Sequence, residues 1–327
     1  MSKYFLVDEQ IKSISEQISN RFSSIKSTVD SYRSSGQVKI SKCSKIPLDF
    51  SVCATDGGLL SSRMHGFDIV LYRSVAVNFV YRNSVLTSFS YLPQKYPQTE
   101  FAYQSSLDEH EALVFKSLLR LRSELSCAIS AMEKFSPTVF LFDGSLLPLP
   151  NDKVGSESKL YSLYQEVIAL YEQLFTVSKE KSCLLVGVIK DSRSNRLSKS
   201  LSLDCSDTVL CNFLLNFGER TEDFPYSESE SKTAVNGSQL VRFFYLKAAK
   251  DDLPLRIEYL SSEKFDVEMV ASILYSLSAI SDTFGYPAIL VEADMCAALD
   301  GSEMDQIINS LRSINVSDLR RNSRPFR

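Results

Sequence analysis

Two segments of this chain end an apolar run in an aspartate followed by small residues. They are SVCATDGG (51–58) and TVFLFDGS (138–145). An ionised carboxylate is costly to bury without a partner. Glycine and serine next to it let a ligand or another backbone come close, and ligands of open α/β sheets gather at the carboxyl ends of strands. If the two strands are neighbours, Asp56 and Asp143 converge. Close carboxylates raise each other's pKa unless a cation joins them, and a cluster of oxygen ligands suits Mg²⁺ or Mn²⁺. A third carboxylate, Glu124, lies three residues after Leu121 and four before Ala128, beside the apolar stripe of a long periodic segment. Asp108, Glu109 and Glu111 read as the acidic first turn of that helix, which makes Glu111 a weaker ligand candidate. One Asp-Gly pair by itself marks a turn. Two strand-terminal copies together with an inward helical glutamate mark a candidate site.

Composition narrows the rest. With 327 residues and 44% hydrophobic content, the chain can bury a sizeable core. A net charge of −4 excludes a globally basic nucleic-acid binder, so any DNA contact must use a local patch. Seven cysteines without a CxxC pair, and only two histidines, argue against zinc. Cys183, Cys211 and Cys296 sit in apolar runs and read as reduced thiols of a cytoplasmic protein. The start, MSKYFLVDEQ, lacks the apolar core of a signal peptide, and no run approaches 18 apolar residues, so no membrane contact is expected.

The positioning elements follow from periodicity. Ile11, Ile14, Ile18, Phe22, Ile25 and Val29 recur at spacings of three and four and predict an N-terminal amphipathic helix. Such a stripe is usually core, and is otherwise an interaction surface. Residues 67–81 and 84–92 read as strands joined by a tight turn at Arg82-Asn83, and 107–134 as a helix capped by Asp108. Strands are predicted at 138–142, 183–190, 241–247 and 255–260, and helices at 161–174, 267–280 and 287–299. The Ser/Glu-rich stretch 226–238 reads as a loop, and the tail LRRNSRPFR as a basic extension. Phe101 and Tyr103 can stack bases, but core packing is the expectation for aromatics. Arg256 and Glu258 alternate with Leu255 and Ile257, so an ion pair is the default for them. Strands followed by interleaved helices predict a mixed α/β sheet with helices packed on it.

Beyond these patterns, ATDGG, RSELSCAISAMEKFSPTVFLFDGSL, LLVGVIKDSRSNRL, LLNFGERT, VRFFYLKAAKDDLPLRIEYL and FGYPAILVEADMCAAL occur in that order. Together they resemble the NurA family of DNA nucleases over about residues 50–300. The resemblance implies an α/β, RNase H-like mixed-sheet core with peripheral insertions. Residues 36–327 would form that domain, and residues 1–35 a helix for oligomer or partner contact. It implies a Mn²⁺-dependent nuclease (Mg²⁺ as an alternative, two ions per site) that cuts single-stranded DNA and degrades duplexes from 5′ ends. It further implies a homodimer docked on a hexameric HerA-type ATPase in double-strand break end resection, at the nucleoid.

Matched residue by residue, Asp56, Glu124 and Asp143 fall on the family's metal-binding carboxylates, and Tyr286 on the tyrosine of its late YP motif. Where most relatives place a histidine, this chain has Asp294. Asp294 is either an exposed helix residue or an oxygen ligand in the histidine's place. RNase H-like enzymes completed by either residue favour the ligand. Lys190, Arg193 and Arg196 follow a buried strand and fall on a basic stretch of the family, which implies phosphate contact; Ser192 and Ser194 can add neutral donors. A catalytically weak DNA-binding scaffold for the ATPase is the alternative. An actin-like phosphotransferase ranks below it, because such enzymes need a glycine-rich adenosine loop and this chain has 11 glycines with no such run.

Overall fold

The structure, a computed structural model, describes residues 3–64, 67–190, 192–226 and 235–313. His65, residues 227–234 of the Ser/Glu-rich stretch and the basic C-terminal run lie outside the described residues. In chain order the elements are α1 (Lys3–Ser35), β1 (Ile40–Lys42), β2 (Ser51–Arg63), β3 (Phe67–Arg82), β4 (Val85–Leu92), β5 (Glu100–Ser105), α2 (Glu109–Phe135), β6 (Val139–Asp143), α3 (Tyr161–Glu180) and β7 (Leu184–Ile189). There follow α4 (Arg196–Ser200), α5 (Asp207–Leu214), β8 (Glu219–Thr221), β9 (Phe224–Pro225), β10 (Val241–Leu246), β11 (Leu255–Leu260), α6 (Val267–Ser278), α7 (Ala288–Ala297) and α8 (Gly301–Ser313).

One mixed sheet runs β1-β8-β10-β11-β7-β6-β2-β3-β4, with β5 on β3 and β9 on β10. β2, β6 and β7 are mutually parallel, whereas β3 and β4 run antiparallel to their neighbours. The run β4-β3-β2-β6-β7 is the RNase H-like core that the resemblance implied. Alternation along the strands separates two apolar layers. Cys53, Phe140, Phe142 and Leu185 face α2 and α3, which contribute Leu118, Leu125, Met132, Val167 and Leu174. Val52, Ala54, Val139, Leu141 and Val188 face α6 and α7, which contribute Leu274, Ile289, Leu290 and Ala293. Asp56 and Asp143 continue the second set and so project toward α7.

Several expectations change at this point. Asp56 does not end its strand, because β2 continues to Arg63 in a long antiparallel hairpin with β3. It sits instead where β2 outruns its parallel neighbour, whose last paired residue is Phe142, opposite Thr55. The turn after β3 is one residue later than predicted, with Asn83 and Ser84 at positive φ. Phe101 and Tyr103 are not core residues: they are 66% and 69% exposed. The register of β5 on β3 turns Ala102 toward the core and leaves its odd-numbered neighbours on the open side. The α1 stripe is also split. Ile25 and Val29 bury against Leu210, Cys211 and Leu214 of α5, whereas Ile11, Ile14, Ile18 and Phe22 are exposed. Arg256 and Glu258 do pair, as expected, but deep inside the fold, Nε to Oε1 at 2.9 Å.

Helix α2, the carrier of Glu124, starts as read. The Glu111 N–H donates to Asp108 Oδ1 at 2.8 Å, and the Asp108 N–H donates to Glu111 Oε2 at 3.2 Å. This reciprocal capping box occupies Glu111 and removes it from the ligand candidates. Asp108→Ala should lower stability by about 1 kcal/mol in urea denaturation, without altering metal affinity.

Candidate active site

β2 brings Asp56 to the edge, and the two glycines behind it serve opposite faces of the sheet. A Cβ on Gly57 would lie 2.7 Å from Glu124 Cγ and 2.7 Å from its Oε1. The missing side chain is therefore the gap through which Glu124, rising from α2, reaches the level of Asp56. A Cβ on Gly58 would run into the carbonyl oxygen of Ala297, so the second glycine admits the end of α7, the helix that carries Asp294. β6 ends on Asp143. Gly144 then turns at φ +127, a conformation natural to glycine. Buried Glu258 holds the turn, accepting from Ser145 Oγ at 2.8 Å and from the Leu146 N–H at 3.0 Å.

Glu124 is 1% exposed, and neither of its oxygens has a hydrogen-bond partner among the described residues. Its nearest cation is Arg120, one helical turn earlier, with Nε 3.5 Å from Oε1. Burial pushes the Glu124 carboxyl up to about 8; Arg120 opposes the shift, and the charges of Asp56 and Asp143 reinforce it. Asp56 accepts the Gly57 N–H at 2.7 Å. Burial, then the charge of Asp143, pushes Asp56 up to about 7, and Asp294 adds to the shift. Asp294 lies exposed on α7, but close enough for its charge to act on Asp56.

Lys190, just past β7, places Nζ 3.4 Å from Asp143 Oδ2 and 4.0 Å from the centre of the Tyr286 ring. Tyr286 is buried and its hydroxyl lacks a hydrogen-bond partner among the described residues. Burial, then the charge of Asp143, raises its pKa well above the usual phenol value.

The structure thus gathers Asp56, Glu124, Asp143, Asp294, Tyr286 and Lys190 at one edge. It places the other two predicted basic residues differently. Arg193 is exposed in the segment after β7. Arg196 lies 5.4 Å over the Phe243 ring and donates to the Pro225 carbonyl at 3.4 Å. Ser194 is not open to a phosphate, since its hydroxyl donates to buried Asp207 at 2.9 Å.

Two participants escaped the sequence reading. Arg120 raises no alarm on an amphipathic helix, although its spacing of four from Glu124 is the one signal available. The charge of Glu124 raises its pKa most, and Asp56 and Asp143 add to this. Glu258 gave no signal of contact with a turn more than a hundred residues away.

The chemistry of the donor set fits a divalent cation. Four carboxylates stand at this edge near enough for their charges to act on Asp56 or Glu124, and one of them is buried with neither oxygen hydrogen-bonded. As they stand, no three His, Cys, Asp or Glu side chains among the described residues close around a common point. Like charges without a cation keep apart.

An RNase H-like sheet with an acidic cluster at the edge of its parallel strands defines the class of protein. The model of the NurA domain family matches residues 50–299, and the chain belongs to the NurA family. Solved structures agree on the fold. The NurA nuclease from Sulfolobus solfataricus is 17% identical with a TM-score of 0.65, over 99% of this chain and 100% of that one. A NurA bound to dAMP and manganese is 11% identical with a TM-score of 0.59, over 94% and 97%. A further NurA structure is 10% identical with a TM-score of 0.64, over 95% and 99%. No curated protein sequence matches the chain.

The pH consequence has a definite sign. Asp56 and Glu124 hold protons in the folded, cation-free chain that they release when unfolded, from ordinary values of 3.8 and 4.5. Their contribution to stability is therefore complete below about pH 4 and is lost as pH rises through about 7 and 8. Mn²⁺ should raise the melting temperature much more at pH 8 than at pH 5, because a bound cation offsets the charges that destabilise the chain at high pH. Differential scanning fluorimetry at both pH values checks this; equal Mn²⁺ shifts would count against it. Gly57→Ala should abolish the Mn²⁺ shift by pushing Glu124 off the edge.

Proposed function

We propose that this chain is a divalent-metal-dependent deoxyribonuclease that hydrolyses phosphodiester bonds at the Asp56–Glu124–Asp143 edge. The observation that carries the reading is Glu124: a carboxylate buried beside two others with neither oxygen hydrogen-bonded is stable only with a proton or a cation. Asp56, Glu124, Asp143 and Asp294 would hold the metal, Mn²⁺ by preference, as two ions. Divalent cations held there would supply activation of the attacking water and offset charge on the leaving oxygen.

The chain's own residues do the rest. Gly57, Gly58 and the Glu258-held turn fix the carboxylates and leave the approach to the edge clear. Lys190 neutralises Asp143 in the free enzyme and lies at the edge where a phosphate would arrive, so it can turn to the phosphoryl oxygens. Arg120 does the same for Glu124. Tyr286, held under Lys190, points an unpartnered hydroxyl toward Asp143 and can orient the attacking water. Arg193 and Arg196 contribute positive charge to the incoming strand beyond β7. Single-strand endonuclease and 5′–3′ exonuclease action, dimerisation, and work beside a HerA-type ATPase in end resection at the nucleoid belong to the same reading, through the family. Among the described residues no helix is long and apolar enough to cross a membrane.

Asp143→Ala should reduce Mn²⁺-dependent degradation of single-stranded DNA by more than about 100-fold, beyond what loss of an outer-shell partner causes. Degradation at the parental rate would refute the site. A second reading, a weak nuclease that serves as a scaffold, draws on Asp294 standing exposed where the family carries histidine. Asp294→His decides between them. Near-parental activity together with loss of Mn²⁺ affinity in Asp294→Ala supports a ligand, whereas a large gain of activity from histidine supports the scaffold.

A further inference from the structure

On the α2 face of the sheet, beside Glu124 and across the sheet from the side to which Asp56 and Asp143 project, lies a cavity of about 710 Å³. Small-molecule sites typically measure about 300–1,000 Å³. One wall is α2; the other is β3 with the segment from Leu92 to Glu100. Ser74 and Ser123, joined by a 2.8 Å hydrogen bond, line the cavity on the side of the catalytic edge. Ser74 Oγ lies 3.0 Å from where a Gly57 Cβ would stand, and Ser123 directly precedes Glu124. A single layer of side chains therefore divides the cavity from Glu124.

The lining chemistry selects among ligands. The one cation among its described lining residues, Arg122, is engaged: Nη1 lies 3.5 Å from Glu166 Oε2, and Nη2 donates to Tyr72 Oη at 3.2 Å. Tyr72 donates in turn to Glu100 at 3.4 Å. Two carboxylates against one guanidinium make the cavity unfavourable for phosphate. The remaining polar groups are neutral: the Ser126 hydroxyl and the Gln98 amide can donate and accept, whereas the Ser130 hydroxyl already donates to the Ser126 carbonyl at 2.9 Å and Gln94 Nε2 to the Tyr96 carbonyl at 2.8 Å, which leaves these two chiefly as acceptors. The Arg122 guanidinium supplies a planar surface; the Tyr72 ring, 5% exposed, does not. Neutral hydrogen-bonding groups beside an arginine plane complement an unpaired nucleobase, which proteins hold by stacking on aromatic and arginine planes and by bonding its edges.

We propose that this cavity is a nucleoside subsite: it takes up one unpaired base of the substrate strand beside the nucleotide being cut. The proposal rests on the nuclease reading and adds to it the requirement for a base, as opposed to a bare sugar–phosphate chain, at one position. Such a subsite would favour unpaired strands, because a base held in a duplex cannot enter.

The test uses the full chain carrying Asp143→Ala to stop cleavage. Fluorescence anisotropy follows its binding to a labelled short single-stranded oligonucleotide with an abasic position moved along the strand. The proposal expects a loss of about tenfold in affinity at one position, within what a single stacked base contributes. Ser126→Phe, which fills the cavity from an exposed helix position, should bind more weakly and lose the positional effect, with the melting temperature unchanged and, in the chain that keeps Asp143, the Mn²⁺ affinity unchanged. A flat abasic profile, or an unaltered profile in the filled variant, overturns the subsite while leaving the nuclease reading standing. Failure of the unsubstituted chain to bind or cut single-stranded DNA at all overturns both.

Discussion

The structure is organised around the burial of two carboxylates next to each other. Glu124 and Asp56 stand shielded from water at one sheet edge, with Asp143 and Asp294 near enough for their charges to be felt. No packing argument favours such a cluster, since each added negative charge raises the cost of the next. The surroundings nevertheless bring the carboxylates together. Gly57 opens the sheet to Glu124, Gly58 lets α7 close in from the other side, and Gly144 turns the chain away after Asp143.

Cations already placed in the fold make the cluster tolerable. Arg120 stands against Glu124 and Lys190 against Asp143, each on a side chain still partly open to solvent. Long, half-exposed basic side chains can leave without unfolding anything, so they suit a site that must exchange one set of positive charges for another. The rigid support is elsewhere. The buried Arg256–Glu258 pair fixes the turn after β6 by two hydrogen bonds, and a buried pair of this kind cannot move cheaply. The site thus combines a fixed backbone frame with mobile countercharges.

Much of this was legible in the sequence because it is local. The apolar strand ending in Asp143-Gly144, the 3.6-residue stripe that turns Glu124 inward, and the capping signal at Asp108 all lie within a few residues of what they specify, whereas the same DG signal at Asp56 marks a point inside a longer strand. The RNase H-like sheet is implied by the family resemblance that the ordered motifs carry, whereas periodicity alone yields only a mixed sheet. What could not be read was non-local. The sequence marks Glu258 only as half of an ion pair with Arg256, because its contact with Ser145 depends on β11 lying beside β7. Aromatic character points Phe101 and Tyr103 to the core, but strand register decides exposure, and register is set by β3. The serines along α2 carried no pattern of their own until β3 and the 92–100 segment faced them.

The central claim is that the edge carboxylates are a metal site held in waiting. Anomalous scattering from crystals soaked in Mn²⁺ tests it most directly. The account predicts anomalous peaks bonded to oxygens of Asp56, Glu124 and Asp143, with Glu124 turned away from Arg120 and Asp294 brought in from α7. Crystals that take up Mn²⁺ elsewhere, or that leave Glu124 against Arg120 at saturating Mn²⁺, would contradict it.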